Sequence, residues 1–115
     1  MTTYSVILLP HFKRQLKSHL KKHRHLVDDI KTTLATFTPV VHTHLGNNLY
    51  KVRLATQTLA RGKNKSFRLI ILLEVVNSFL VPVTVYYKGD QAVISKKELA
   101  LHLKSILFEL RSNIY

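Results

Sequence analysis

Three stretches between residues 49 and 88 set the fold of this chain. Positions 49–55 ("LYKVRLA"), 66–76 ("SFRLIILLEVV") and 79–88 ("FLVPVTVYYK") are rich in Val, Ile, Leu, Tyr and Phe, and only Asn77 and Ser78 separate the last two. Short β-branched and aromatic runs broken by turn residues signal strands that are neighbours in sequence, so the pattern predicts a three-stranded β-meander. Basic side chains sit inside these strands. Because side chains alternate across a strand, Lys51 and Arg53 project from one face while Tyr50, Val52 and Leu54 project from the other. Arg68 is opposite in sense to Phe67 and Leu69, and Tyr86 and Lys88 share a face. Strands that only filled a core would not carry these cations. Paired as hairpins, the three strands can bring them into one basic cleft, held more rigidly than loop residues would be.

The flanking segments read as follows. Positions 4–9 are a short apolar run ended by Pro10, which predicts a first strand. Phe12, Leu16 and Leu20 recur at helical spacing, with Lys13, Lys17 and Lys21 turned mostly elsewhere. Val27, Ile30, Leu34 and Phe37 continue that period in a second helix, whose early Asp28 and Asp29 suit a positive helix N-terminus and which stops before Pro39. A loop centred on 46–48 ("GNN") leads into the meander. Ser95 and Glu98 form an S-x-x-E capping box, and Leu99, Leu103, Ile106, Leu107 and Leu110 make an apolar stripe on a closing helix. The expected order is β-α-α-β-β-β-α: an α+β fold with a mostly antiparallel twisted sheet, an N-terminal helical hairpin and a C-terminal helix. A length of 115 residues predicts one domain over 1–115, and a 46% hydrophobic content supports a packed core.

Charge narrows the choice of partner. Eighteen Lys and Arg against six Asp and Glu give a formal net charge of +12, so the expected partner is anionic, with nucleic acid ahead of an acidic protein or a membrane surface. Cysteine is absent, which excludes disulfides and thiolate chemistry. The opening "MTTYSVILLPHFKRQ" has too short an apolar run for a signal peptide or a spanning helix, so the expectation is a cytoplasmic protein with no membrane role.

Other chemistries find little support. His19 and His23 have helical spacing and His42 and His44 strand spacing, yet neither pair comes with a nearby carboxylate or Cys, so no metal site is expected. His42 and His44 remain minor candidates for acid-base work because they lie just before the first basic strand. The six acids are scattered, against paired-carboxylate or two-metal catalysis, and no Gly-rich phosphate loop is present.

The element order, taken with "LYKVRLA", "RGKNKSFRLIIL" and "VYYKGDQAVISKKEL", resembles the RelE/ParE superfamily of toxins from type II toxin-antitoxin systems, nearest to its RelE/HigB-like branch. The resemblance spans nearly the whole chain and is strongest over 49–99. It implies a RelE-like domain acting as a ribosome-dependent endoribonuclease, an mRNA interferase that needs no metal or other cofactor. It also implies an acidic antitoxin, the ribosome and mRNA as partners, with a toxin-antitoxin hetero-oligomer as the resting form. ParE-type relatives instead poison DNA gyrase. A ParE-like gyrase inhibitor and a non-catalytic RNA-binding module are therefore the alternative readings. Two departures stand out. Lys65 and Ser66 occupy the place of a Gly-Gly pair common in relatives, and the C-terminal Tyr of the RelE-type site has three counterparts here, Tyr86, Tyr87 and Tyr115.

Cleavage of RNA through its own 2′-hydroxyl needs a proton acceptor, charge to stabilise the crowded phosphate and a proton for the leaving 5′-oxygen. The match to the family motif makes Lys51 the candidate base, and lysines crowded by other cations can have lowered pKa values. Arg68 keeps its proton and offers a planar fork to phosphate, so it is assigned transition-state stabilisation together with Arg53. Lys88 is a candidate acid or phosphate contact, and Tyr87 completes the catalytic set. Tyr86 or Tyr87 can stack on a base, and Arg61, Lys63 and Lys65 are candidate RNA contacts in the loop between the first two basic strands. The competing reading for the strand cations is a solvated sheet face, and for the loop cations a solvated loop.

Overall fold

In the computed structural model, which describes residues 4–54, 67–89, 91 and 93–114, the chain begins with β1 (Ser5–Val6), α1 (Pro10–Leu20) and α2 (Leu26–Ala35). A short 3-10 turn (Pro39–Val41) leads to β2 (Thr43–Gly46), β3 (Leu49–Arg53), β4 (Phe67–Glu74) and β5 (Phe79–Tyr87), and α3 (Lys96–Ile114) closes the chain. The five strands form one sheet in the order β1-β5-β4-β3-β2. Only β1 runs parallel to its neighbour, β5; the other three pairings are antiparallel. The α+β class, the helical hairpin, the meander and the closing helix are those expected from the sequence.

Pro10 starts α1 because its fixed φ suits the first helical position and its missing N–H would be unpaired there anyway. One face of α1 turns Phe12 into the core, with Leu16 and Leu20 packed behind it, while Lys13, Lys17 and Lys21 face solvent. α1 covers the sheet face that carries Phe67. The His19 and His23 rings stand edge-on to Phe67 at 5.1 and 4.7 Å, and His23 lies 5.4 Å from the Tyr87 ring. Phe12, Leu26, Ile30 and Leu34 of the helices share one buried cluster with Val52, Leu54, Phe67, Leu69 and Ile71 of the sheet. Each such side chain stabilises the fold by about 1.5–3 kcal/mol when fully buried.

Four features differ from the sequence expectation, each with a local cause. A strand precedes the "GNN" segment: β2 pairs with β3 through a turn in which Gly46, Asn47 and Asn48 take φ of 90°, 52° and 62°. Gly and Asn are the residues that tolerate this left-handed backbone. All four residues of β2 are exposed, so no apolar alternation marks it in the sequence.

The β4–β5 turn is also longer than Asn77-Ser78. Glu74 pairs with Phe79, and the Glu74 carboxylate accepts the N–H groups of Val76 at 3.0 Å and Asn77 at 2.8 Å. Those bonds end the strand at Glu74 and leave Val75 and Val76 exposed in the turn. At the other sheet edge β1 is only two residues long, because the chain turns into α1 at Pro10.

Leu107 is the fourth difference. Ser95 Oγ accepts the Glu98 N–H at 3.1 Å, as the capping box requires, and Leu99, Leu103, Ile106 and Leu110 pack inward, but Leu107 points out. Pro82, within a strand that has neighbours on both sides, is accommodated where the β4–β5 register slips. Ile70 faces Thr84 and Ile71 faces Pro82, so Val83 has no cross-strand partner there, and such a bulge is where a residue without an N–H can sit in a sheet.

Candidate functional site

The register of the sheet builds the site. Arg53 on β3 is directly opposite Arg68 on β4, and Arg68 is directly opposite Tyr86 on β5. Residues opposite each other in antiparallel strands project from the same face, so the three form a row across the sheet. Lys51, two residues before Arg53, heads the next row with Ile70 and Thr84, and Thr43 of β2 sits opposite it on the other side. Lys51, Arg53, Arg68 and Tyr86 thus share the sheet face turned away from Phe67 and α1.

The pairing of two arginines runs against ordinary sheet energetics, in which like charges directly opposite are destabilising. Arg53 is exposed, while Arg68 is only 6% exposed and reaches back to the Phe67 carbonyl oxygen from Nη1 at 3.5 Å. Burial lowers the Arg68 guanidinium from its usual value and the Arg53 cation lowers it further, whereas Tyr86 acts in the opposite direction. Burial raises the Tyr86 phenol, partly offset by the Arg68 cation and the Ile94 main chain. Tyr86 Oη is buried and makes no bond of good geometry among the described residues. The row therefore presents one exposed guanidinium, Arg53, above the buried Arg68 cation and its protonated phenol neighbour Tyr86, with the Lys51 amine one row away.

The remaining candidates lie elsewhere. Tyr87, expected in the catalytic set, projects from the other face, where its ring packs 5.1 Å from Phe67 and against His23. Alternation makes this unavoidable once Tyr86 joins the arginine row. Gly89 lies so close over the Tyr87 ring that a Cβ there would overlap it. Tyr86 in turn is 6% exposed, too buried to stack on a base as it stands. Lys88 is half-buried in the turn after β5, where strand alternation no longer sets its direction. Arg61, Lys63 and Lys65 fall outside the described residues. Tyr115 does so as well.

The histidines do not join the site. His44 stacks on Tyr50 at 4.8 Å on the face opposite Lys51, and His42 stacks on Phe37 at 5.2 Å, where burial lowers its pKa. Among the described residues no three His, Asp or Glu side chains come together as a metal-binding group. No helix among them is long and apolar enough to cross a membrane. The sequence pattern places Lys51, Arg53 and Arg68 on their strands, but it also puts Lys88 on the last strand, which ends at Tyr87, and it does not reveal the direct opposition of Arg53 to Arg68, which needs the register. Thr43 and Thr84, the flanks of the Lys51 row, carried no sequence signal at all.

No family model matches the sequence, and no curated protein matches it. Several solved chains align with this one. The E. coli toxin RelE, a mutant in the free state, aligns over 99% of this chain and 100% of its own length with a TM-score of 0.50 at 13% identity. A chain of the intact E. coli RelBE toxin-antitoxin complex aligns over 72% of this chain and 94% of its own with a TM-score of 0.48 at 14% identity. The chain has a RelE-like fold.

Proposed function

From that fold, we propose that this chain is the toxin of a toxin-antitoxin pair and that it cuts mRNA on the ribosome, as an endoribonuclease of the RelE/HigB-like kind. The observation that carries the reading is the opposed pair Arg53 and Arg68, with Lys51 and Tyr86 on the same face of the sheet. Two cations set on one row of the sheet, with a lysine one row away, make a positive face to which a phosphodiester is suited.

In this mechanism the phosphate sits over the Arg53–Arg68 row. Lys51 takes the proton of the 2′-hydroxyl, and the exposed Arg53 guanidinium, with the field of the Arg68 cation buried beside it, stabilises the charge that builds on the non-bridging oxygens. Tyr86 positions Arg68: its buried ring is the cross-strand neighbour of the guanidinium and limits the rotamers open to it. As the 2′-oxygen bonds to phosphorus the bond to the 5′-oxygen breaks, and Lys88 supplies the proton to that leaving oxygen. The proposed chemistry uses no metal, and the protein works as a single cytoplasmic domain beside the ribosome. The +12 net charge favours an acidic antitoxin that folds over the basic face and the helices in the resting complex.

Expression of the chain with primer extension on cellular messages tests this directly. New, ribosome-dependent message ends should appear, and Lys51→Ala and Arg68→Ala proteins that still fold should lose most of the cutting. Arrested growth with intact messages and inhibited gyrase supercoiling would replace the reading with a ParE-like one. RNA bound with messages intact would leave a non-catalytic binding module.

A further inference from the structure

Besides its inward stripe, α3 carries a second, outward surface. Lys97, Lys104 and Arg111 recur every seven residues and are all exposed, forming a line of cations about 21 Å long. Leu101 and Phe108 flank the line on one side, 60% and 72% exposed, and Ala100 and Leu107 flank it on the other. A groove of about 450 Å³ runs along it between Ala100, Leu103, Lys104, Leu107, Phe108 and Arg111. α3 keeps its own acids away from this surface: Glu109 bonds the His11 main chain and Arg14, and Glu98 bonds Gln91 and lies near His102.

From this pattern we infer that the outward face of α3, from Lys97 to Arg111, docks an acidic amphipathic helix of a partner protein. The seven-residue repeat matches the side-by-side packing of two helices, with apolar residues of the partner seated against Leu101, Leu107 and Phe108. Carboxylates on that helix meet the central cations. A second copy of this chain does not fit, since parallel or antiparallel pairing of two such faces sets Lys97, Lys104 and Arg111 against one another. An anionic membrane does not fit either, because a helix lying in a bilayer surface buries an apolar centre and keeps cations at its flanks, the reverse of what α3 presents. Three exposed leucine and phenylalanine side chains on the same face also distinguish it from a surface built only for phosphates.

The inference deepens the acidic-partner reading of this chain and rests on it, but not on RNA cleavage. The test titrates the 115-residue chain with a synthetic helical peptide of three heptads, Glu at the seam positions that face the central cations and Leu beside them, and with the same peptide carrying Lys for Glu. The Glu peptide should bind, the Lys peptide should not, and hydrogen exchange should slow in α3. Lys104→Glu and Phe108→Ser should each weaken binding about tenfold or more, with Lys17→Glu on α1 as a control that leaves it unchanged. Binding that survives both α3 changes but is lost in Arg53→Glu would overturn this docking site while leaving the acidic partner in place. No binding of the Glu peptide at all would remove the acidic-helix partner and the docking site together. Binding of single-stranded RNA or anionic vesicles that depends on Lys104 and Phe108, with none of the Glu peptide, would also overturn it. Circular dichroism of each variant separates lost contacts from lost fold.

Discussion

Glu109 Oε1 accepts the main-chain N–H of His11 at 2.8 Å, joining the far half of α3 to the first turn of α1. The N-cap residue of α1 is Leu9, whose side chain has no atom able to accept a hydrogen bond, so a carboxylate from another helix fills that role. The same carboxylate meets the positive end of the α1 dipole and lies 3.5 Å from the Arg14 guanidinium. One side chain thus completes one helix and docks another.

Glu109→Ala is expected to cost about 1 kcal/mol, the usual loss for a helix cap, read as a lower urea midpoint with unchanged slope. Arg14 is largely exposed, so Arg14→Ala should cost much less. Glu109→Gln, which keeps an acceptor oxygen, should fall between wild type and Glu109→Ala. Equal losses for Glu109→Ala and Arg14→Ala would show that the ion pair rather than the cap matters.

Acid should loosen the same helix contact. His11 Nε2 and His102 Nδ1 are 2.8 Å apart, a hydrogen bond that requires at least one neutral ring. Burial is the main cause that holds both below the ordinary 6.5, with Arg14 adding to it at His11 and His11 adding to it at His102. Glu109 and Glu98 pull the other way. With folded values depressed, the unfolded chain takes up protons first as pH falls. The contribution to stability is therefore whole above 6.5 and is lost below it as pH approaches the folded values. Urea midpoints should hold above about pH 6.5 and drop below it, and His102→Gln should flatten the drop. An unchanged drop in His102→Gln would assign it elsewhere, His42 being the next histidine lowered by burial.

Arg53 and Arg68 should show stability traded against function. Replacing Arg53 with Thr removes a like charge from a directly opposed pair and places a β-branched residue on the strand. The fold should gain roughly 0.2–1 kcal/mol, seen as a higher melting temperature, while RNA cutting falls. A protein that becomes both more stable and equally active would take Arg53 out of the site.

Lys51→Arg separates charge from proton transfer. The substitution keeps the cation but raises its proton affinity, so cutting near neutral pH should fall if Lys51 accepts the 2′-hydroxyl proton. Salt dependence of ribosome binding should stay steep in the same variant, because the number of released counterions is unchanged.

Gly89 and Tyr87 should behave as one unit. A methyl group at Gly89 would overlap the Tyr87 ring and push it away from Phe67 and His23, at about 1–3 kcal/mol. Tyr87→Ala should relieve that cost, so the double mutant is expected to be less destabilised than the sum of the singles.

How far these elements were legible depends on how local their causes are. The α1 stripe of Phe12, Leu16 and Leu20 and the capping pair Ser95 and Glu98 are set by neighbours within a turn or two, and the sequence states them directly. β2 was hidden because its exposed residues answer to backbone pairing with β3, not to a buried face. Val75 and Val76 read as strand, and only the bonds from the Glu74 carboxylate take them out of it. Within the site, alternation separated Arg68 from Phe67, but choosing Tyr86 over Tyr87 needed the register that sets Arg68 opposite Tyr86. That register follows from the true turn length, which hydropathy does not carry.

The parallel pairing of β1 with β5 also sets an order of events during synthesis. Ser5 pairs with Phe79 and Val6 with Leu80, so the first strand made must wait for the last of the five. At about 5–20 residues per second the delay is on the order of 4–15 s, during which Ser5 and Val6 have no sheet edge to join. The helical hairpin and the β2–β3 turn can form in that interval from local contacts alone, leaving the edge strand to zip on after β5 emerges. A nascent chain halted before residue 79 should therefore expose its N-terminus to protease, and one released past α3 should protect it.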